Sequence, residues 1–233
     1  METISEIVAI RKETYNVKTF RLKPEEIMEF VPGQYAFFSI QENKMFSNYT
    51  KPFSFSSSPT ERNFFEITVK RVGVFTTEMH KLKKGDRMLV NGPHGDALIF
   101  DEKVKDDVVF IAGGSGITPF MSAIRYATEK KLKNKILLIF SNKTYDDIIY
   151  RKELSDIERR NPNIKIVNTL TDSWPKKWDG ETGMITKELI LRYAKEPENK
   201  IWYICGPPGM IISMKKILNT IKIPEANIRY GEG

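Results

Sequence analysis

Polar and apolar residues alternate along most of the first hundred positions, which is the pattern of strands with one buried face. Turn residues separate the segments that carry the pattern, which are ISEIVAIRKET, NVKTFRLK, QYAFFSI, FFEITVKRV and DRMLVNGP. Short strands at this spacing predict an antiparallel sheet that closes as a barrel or packs as a sandwich. One short helix is predicted between strands, at Phe75 to Lys83.

The pattern changes near residue 105, where continuous apolar runs replace alternation. These runs are typical of strands buried on both faces of a parallel sheet, and they are VVFIAG, KILLIF, IKIVNTL and IWYICG. Helical stretches come between and after them: PFMSAIRYATEKK, DIIYRKELSDIERR, 186–195 and 209–219. The alternation predicts an α/β domain with helices on both faces of the sheet. We place the boundary in FDEKVK, so that residues 1–100 form a β-barrel domain and residues 101–233 the α/β domain.

Composition narrows the class of protein. The 233 residues include one cysteine, Cys205, so a disulfide within the chain and a cysteine-ligated metal cluster are excluded. The N-terminus lacks the order of a secretory signal, and no apolar run approaches the ~18 residues of a membrane span. We therefore expect a cytoplasmic protein. The net charge of +7 is spread over both halves without a basic arm, which disfavours nucleic acid and suits nucleotide phosphates or an acidic electron-transfer protein.

A glycine turn follows the first apolar run and opens a predicted helix. Its residues are Gly113-Gly114-Ser115-Gly116-Ile117-Thr118-Pro119. Glycines at this point let the backbone approach a pyrophosphate, and the helix N-terminus supplies amide donors; the alternative is a tight strand–helix turn. Pro119 replaces the third glycine of the usual fingerprint. Ser141-Asn142-Lys143 end the next strand without an acidic residue, which leans towards NADP, although a solvated Lys143 explains them nearly as well.

Four further motifs occur in a fixed order around this turn. They are Lys51-Pro52-Phe53-Ser54; Ile67-Thr68-Val69-Lys70 with Gly73-Val74-Phe75-Thr76; Gly85-Asp86 to Gly92-Pro93-His94-Gly95; and Cys205-Gly206-Pro207-Pro208-Gly209-Met210. With them the chain resembles the ferredoxin–NADP reductase-like flavoproteins, which include reductase components of oxygenases. The resemblance extends over about residues 5 to 230.

The resemblance implies a flavin site at Lys51 to Ser54. In that family an arginine binds the flavin pyrophosphate, a tyrosine stacks on the isoalloxazine, and a serine or threonine hydroxyl bonds to flavin N5. By position Lys51, Phe53 and Ser54 take these roles, with Lys51 keeping the charge but losing the two-pronged guanidinium grip. The alternative is a strand with an exposed lysine and a core phenylalanine.

The resemblance also places the flavin phosphates at the helix start of Gly73 to Thr76, next to the strand with Thr68, Val69 and Lys70. This segment favours FAD over FMN. Thr76 is either a phosphate ligand or a helix cap, since both need the same hydroxyl. His94 is interpreted as structural or exposed, not as a metal ligand.

On the nucleotide side, the resemblance brings Thr118 and the Cys205 to Met210 loop to the nicotinamide. Ser54 and Cys205 are then the predicted catalytic residues, with no thiolate nucleophile implied. The alternative for Cys205 is a small apolar residue at a strand end. Tyr230 is the candidate for the aromatic residue that covers the flavin in relatives, although its three-residue tail leaves another place open.

The resulting prediction is a flavin-dependent reductase that moves hydride between NADPH or NADH and FAD, then passes electrons to a separate acceptor. Ferredoxin is the first candidate, because a basic reductase attracts an acidic partner. Two alternatives remain: an electron-transfer subunit that works only within a larger redox complex, and a nucleotide-binding module without turnover.

Overall fold

The computed structural model describes residues 1–40 and 49–232. They divide into two compact units: the first comprises Met1–Asp101 and Thr118–Tyr126, and the second comprises Glu102–Ile117 and the residues from Ala127 onward. The sequence prediction placed the whole helix after the glycine turn in the second domain. The structure instead groups the first nine residues of that helix with the first unit. The assignment of cofactors to domains at 1–100 and 101–233 stays a prediction.

The first unit is built on a six-stranded antiparallel sheet with the order β4-β3-β6-β1-β2-β5. Its elements are β1 (Glu2–Thr14), β2 (Val17–Pro24), β3 (Tyr35–Ile40), β4 (Lys51–Ser54), β5 (Phe65–Lys70), the helix α1 (Val74–Met79) and β6 (Arg87–His94). The two edge strands approach one another just after β4. Phe55 forms an antiparallel bridge with Ile67, and the Ser56 N–H donates to the Glu66 carbonyl at 2.7 Å. The predicted barrel is confirmed.

Alternating side chains of these strands fill the barrel. The core residues, all nearly inaccessible to solvent, include Ile7, Phe20, Leu22, Phe38, Phe55, Phe65, Ile67 and Val90. Helix α1 ends at Met79, four residues before the predicted end. The N–H of Leu82 bonds to the Met79 carbonyl in a turn, and Gly85 then adopts a φ of +97°. A turn and a glycine therefore close the segment that its apolar spacing extended as helix.

The second unit is a six-stranded parallel sheet with the order β10-β9-β8-β7-β11-β12. Its strands are β7 (Asp107–Gly113), β8 (Ile136–Asn142), β9 (Ile164–Leu170), β10 (Glu181–Thr182), β11 (Lys200–Gly206) and β12 (Ile228–Glu232). The remaining helices are α2 (Thr118–Glu129), α3 (Arg151–Arg160), α4 (Lys187–Tyr193) and α5 (Pro208–Thr220). The predicted α/β alternation is confirmed, and the edge strands β10 and β12 were not predicted.

One helix of the second unit starts later than predicted. Helix α3 begins at Arg151 instead of near Asp147, because Tyr150 has a φ of +57°. The preceding turn is closed by Asp147, whose carboxylate accepts from the N–H and the hydroxyl of Thr144 at 3.1 and 2.8 Å. Within the described residues, no helix is long and apolar enough to cross a membrane.

Candidate functional site

The first candidate cluster lies on β4, an edge strand of the barrel. Lys51 is exposed, while Phe53 and Ser54 are half-buried. The Phe53 ring packs edge-on against Phe38, with centroids 5.9 Å apart, and lies parallel to Phe75 at 6.4 Å. The Ser54 hydroxyl has no hydrogen-bond partner among the described residues. A cation, a half-accessible ring and an unused hydroxyl thus follow one another, which fits the phosphate, ring and N5 of a flavin.

The start of α1 resolves the question about Thr76 in part. Its hydroxyl oxygen accepts from the N–H groups of Val72 and Gly73 at 2.9 and 3.0 Å and donates to the Gly73 carbonyl at 3.1 Å. The side chain therefore caps the helix. A Cβ on Gly73 would meet nothing within 4 Å, so the space before the first turn is open. The first amides of a helix lack intrahelical partners, and an anionic group at this end of α1 stays a prediction.

Two of the predicted site residues on β5 have buried side chains. The Thr68 hydroxyl is 2.7 Å from that of Thr19, and its side chain is buried. Val69 lies in the barrel core, and its carbonyl is 2.9 Å from Nε2 of His80. A cofactor contact from this segment stays a prediction only for its backbone and for the half-buried Lys70.

The glycine turn packs directly on the end of β11 and on the residues that join β11 to α5. A Cβ on Gly116 would lie 2.2 Å from the Cys205 carbonyl oxygen, and one on Gly113 would lie 2.6 Å from Sδ of Met210 and 3.0 Å from Cδ of Pro207. Gly114 has a φ of +54°. From the sequence, these glycines are expected to let the backbone approach a pyrophosphate. The structure shows that two of them are first required by the protein's own packing.

That packing brings two predicted motifs together. Since β7 and β11 are neighbouring parallel strands, the turn with Gly113-Gly114-Ser115-Gly116 and the loop with Cys205-Gly206-Pro207-Pro208 meet at their carboxyl ends. Open α/β sheets bind ligands outside this edge. The arrangement fits a nucleotide whose phosphates meet the turn. Thr118 begins α2 and is buried in the first unit.

Cys205 is 2% exposed, and burial raises the pKa of its thiol from 9.0 to about 12. The thiol is therefore protonated at neutral pH. It can shape a pocket or donate a weak hydrogen bond, but it is not a nucleophile.

The end of β8 places Ser141, Asn142 and Lys143 in different surroundings. Asn142 is buried, and its side-chain oxygen and nitrogen have no hydrogen-bond partner among the described residues. Its carbonyl accepts from the Thr171 N–H at 3.0 Å. Ser141 is half-buried and Lys143 is exposed, and the preference for NADP stays a prediction.

Tyr230 lies in β12, opposite Ile204 of β11. Its ring is 45% exposed, and Nζ of Lys215 from α5 is 3.9 Å from the ring centroid. In this structure the aromatic ring thus rests on a lysine of the second unit, and its contact with a flavin stays a prediction. The last residue of its tail, Gly233, lies outside the described residues.

A buried ionic cluster centred on β5 was not predicted from the sequence. Glu66 on β5 is 3% exposed and contacts the guanidinium groups of Arg11, Arg21 and Arg125. The one sequence signal was an acidic residue inside the strand segment FFEITVKRV. Its partners Arg21, Arg11 and Arg125 lie 45, 55 and 59 residues away along the chain, so no local spacing in the sequence pairs them.

Comparison with known proteins finds two family models in the order of the two sheets. A model described as oxidoreductase FAD-binding domain matches residues 3–98, and one described as oxidoreductase NAD-binding domain matches residues 110–216. Among proteins, sulfhydrogenase 1 subunit gamma of Pyrococcus furiosus is 32% identical over 225 residues, which cover 94% of this chain and 71% of that protein. NADH-cytochrome b5 reductase 1 of Coccidioides immitis is 28% identical over 227 residues, with 92% and 73% covered.

Solved structures show the same fold. The FAD/NAD-binding domain of a nitric oxide dioxygenase from Vibrio cholerae gives a TM-score of 0.88 at 19% identity, with 99% of this chain and 98% of that chain covered. A ferredoxin NADP+ reductase from Neisseria gonorrhoeae, with bound FAD and NADP, gives 0.84 at 22% identity, with 100% and 98% covered.

Proposed function

Because this chain belongs to the ferredoxin–NADP reductase family and is an NAD(P)H-dependent flavoprotein reductase, we propose that it delivers electrons from NAD(P)H, through FAD, to an acidic one-electron carrier protein. Ferredoxin is the first candidate for that carrier. The observation that carries the flavin part of the proposal is the ordered set of an exposed cation, a half-buried ring and an unused hydroxyl on β4.

Lys51, Phe53 and Ser54 are the proposed flavin ligands. The Lys51 ammonium group pairs with a phosphate, the Phe53 ring supports the isoalloxazine, and the Ser54 hydroxyl bonds to N5. The open space before α1 supports a place for the pyrophosphate at Gly73 to Thr76. When bound, FAD supplies a two-electron acceptor that can also release electrons singly.

The glycine turn and the loop at 205–208 are the proposed nucleotide ligands. The turn's backbone amides bind the phosphates. The buried, neutral Cys205 thiol forms a small apolar surface against the nicotinamide. These residues orient the nucleotide, and orientation supplies much of the rate gain in hydride transfer. In the balanced reaction, NAD(P)H becomes NAD(P)+, two carrier molecules each gain one electron, and one proton is released.

The test is an anaerobic titration of purified, flavin-loaded protein with NADH and NADPH in parallel. We expect the flavin absorbance to bleach with at least one nucleotide and to return when an oxidised carrier is added. A protein that takes up no flavin when FAD is supplied contradicts the flavin site. Bound flavin that neither nucleotide bleaches contradicts the reductase activity.

The proposed acceptor is supported by charge. The chain carries a net charge of +7, and opposite charge accelerates encounter with an acidic partner. We expect the rate of ferredoxin reduction to fall as ionic strength rises, while the rate of flavin reduction at saturating nucleotide stays nearly constant. Equal rates at low and high salt would remove the support for an acidic carrier.

A second candidate is an electron-transfer subunit of a larger redox complex. It is favoured by the 32% identity to a protein named as a sulfhydrogenase subunit. In that case the isolated protein would be reduced by NAD(P)H but would pass electrons quickly only to its partner subunit. Turnover with free ferredoxin at the rate of flavin reduction would exclude this candidate.

A further inference from the structure

A buried carboxylate ties several elements of the first unit together. One oxygen of Glu66 accepts from Nε and Nη2 of Arg21 at 3.0 and 2.9 Å. The other accepts from Nη1 of Arg125 at 3.0 Å and lies 3.7 Å from Nη2 of Arg11. A carboxylate this deeply buried needs such partners, since an unpaired charge inside a protein is strongly unfavourable.

The contacts of Arg125 go beyond charge balance. Its Nη1 also donates to the Ser56 carbonyl at 2.7 Å. Ser122, one turn earlier on α2 and fully buried, donates to the Ser57 carbonyl at 2.6 Å. Two successive carbonyls are therefore bonded to one face of one helix.

The bonded carbonyls directly follow the proposed flavin ligands. Ser56 is two residues after Ser54, and its N–H bonds to β5 at the Glu66 carbonyl. The Ser57 hydroxyl accepts from the Glu66 N–H at 2.9 Å. The segment is thus held between β5 on one side and α2 on the other. This leaves little freedom for the chain at Ser54.

We propose that Arg125 and Ser122 are positioning residues of the reductase: through the Ser56 and Ser57 carbonyls they fix the Ser54 hydroxyl relative to the first turn of α2 at Thr118. The inference rests on the proposed function, in which Ser54 bonds to flavin N5. A helix is rigid over two turns, so anchoring its body also sets the place of its first residue. Misplacement of reacting groups by ~1 Å can slow a reaction ~10²-fold.

Arg21 provides the matched control. It bonds to the same carboxylate through two N–H groups, but it lies on β2 and stacks on the Phe64 ring at 3.9 Å. Loss of Arg21 or of Arg125 leaves two arginines beside Glu66, so charge balance changes equally. Only loss of Arg125 releases a carbonyl from α2.

The experiment compares full-length Arg125→Met, Arg125→Lys, Arg21→Met and Ser122→Ala with the wild type. Four quantities are measured: flavin content, visible circular dichroism of the bound flavin, hydrogen exchange of the peptide covering residues 51–58, and the single-turnover rate of flavin reduction at saturating nucleotide. For Arg125→Met we expect retained flavin, a changed dichroism spectrum, faster exchange in that peptide, and flavin reduction slowed about tenfold to a hundredfold. Arg125→Lys should recover part of that rate, and Arg21→Met should match the wild type in rate and spectrum.

Ser122→Ala keeps the inference testable if Arg125→Met does not fold, because it removes a single neutral bond. We expect the same changes in smaller degree, with a rate loss of about three- to tenfold. Equal rates and spectra in Arg125→Met and Arg21→Met would overturn the inference, as would faster exchange in the peptide without a slower reduction. A wild type that binds flavin but is not reduced would overturn the proposed function, and the inference with it.

Discussion

The close approach of Gly116 to residues 205–208 provides a test of the proposed nucleotide site. In Gly116→Ala the new Cβ would lie 2.2 Å from the Cys205 carbonyl oxygen and 2.7 Å from the Gly206 nitrogen. Both are backbone atoms of a buried strand end, so no side-chain rotation relieves the contact. The φ of Gly116 is not in the left-handed region, so the clash is the whole perturbation.

The size of the effect follows from that distance. Relief to an ordinary contact requires a separation of roughly 1 Å between the turn and the loop, and a misplacement of this size can cost about 10²-fold in rate, or about 2.7 kcal/mol. Overpacking of the site also destabilises the fold by about 1–3 kcal/mol. We expect kcat/KM for NAD(P)H to fall about a hundredfold while the bound flavin is retained, since the proposed flavin ligands lie on β4.

The assay is stopped-flow reduction of the flavin over a range of nucleotide concentrations, with thermal unfolding measured on the same samples. Gly209→Ala is the matched control, because it lies in the first turn of α5 and its Cβ would meet nothing within 4 Å. Gly113→Ala should be intermediate, since it meets the Met210 thioether, which can move, and the Pro207 ring.

Two results would refute this reasoning. One is wild-type kinetics and stability in Gly116→Ala, which would show that turn and loop are not in close contact. The other is an equal loss in Gly209→Ala, which would show that the loop is sensitive to any substitution. A loss of bound flavin in Gly116→Ala would show that the effect is not confined to the proposed nucleotide site.

Three further predictions concern single groups. Lys51→Ala should weaken flavin retention tenfold or more, on the order of the 1.5–3 kcal/mol of a hydrogen bond to a charged group, and Lys51→Arg should strengthen it. Fluorescence of the released flavin measures both effects. A similar loss in Lys84→Ala, which changes an exposed lysine, would count against a specific role of Lys51. Burial raises the pKa of Cys205 from 9.0 to about 12, so alkylation of its thiol at pH 8 should be about a thousandfold slower in the folded than in the unfolded protein. Mass spectrometry measures the alkylated fraction over time. Rapid labelling of the folded protein would contradict the burial of the thiol. Burial lowers the pKa of His80 below 6.5, so its neutral form stabilises the fold fully above about pH 6.5, and that contribution is lost as pH falls through the folded pKa. The free energy of unfolding in urea, measured from pH 5 to 8, should therefore rise with pH, and more steeply in the wild type than in His80→Gln. Identical pH dependence in the two proteins would refute this prediction.

Most of the fold could be predicted because burial follows a local period. Period-two alternation in the first hundred residues predicted the barrel strands except the four-residue β4, and the apolar runs at VVFIAG and IWYICG predicted parallel strands. The edge strands β10 and β12 were missed, since two residues are too few for a period and Ile228–Glu232 contains a glycine. The early end of α1 depends on a turn at Gly85, which an apolar count does not register.

The candidate site divides in the same way. The motifs at 51–54, 113–118 and 205–210 could be recognised from the sequence, because each is a short run whose chemistry is local. The capping role of Thr76 and the burial of Thr68 and Val69 required the structure. The residue type shows that a hydroxyl is present, but not whether it faces a ligand or packs against a neighbouring strand.

The sequence by itself determined the two kinds of sheet, the order of the motifs, and through them the class of reductase. Only the tertiary structure decided which groups meet: Gly116 against Cys205, and Glu66 and the Ser56 carbonyl against Arg125. The physical reason is that alternation and glycine turns reflect the backbone's local choices, whereas these contacts join residues 59 to 89 positions apart along the chain. Their partners are selected by chain closure and packing, which no local pattern encodes.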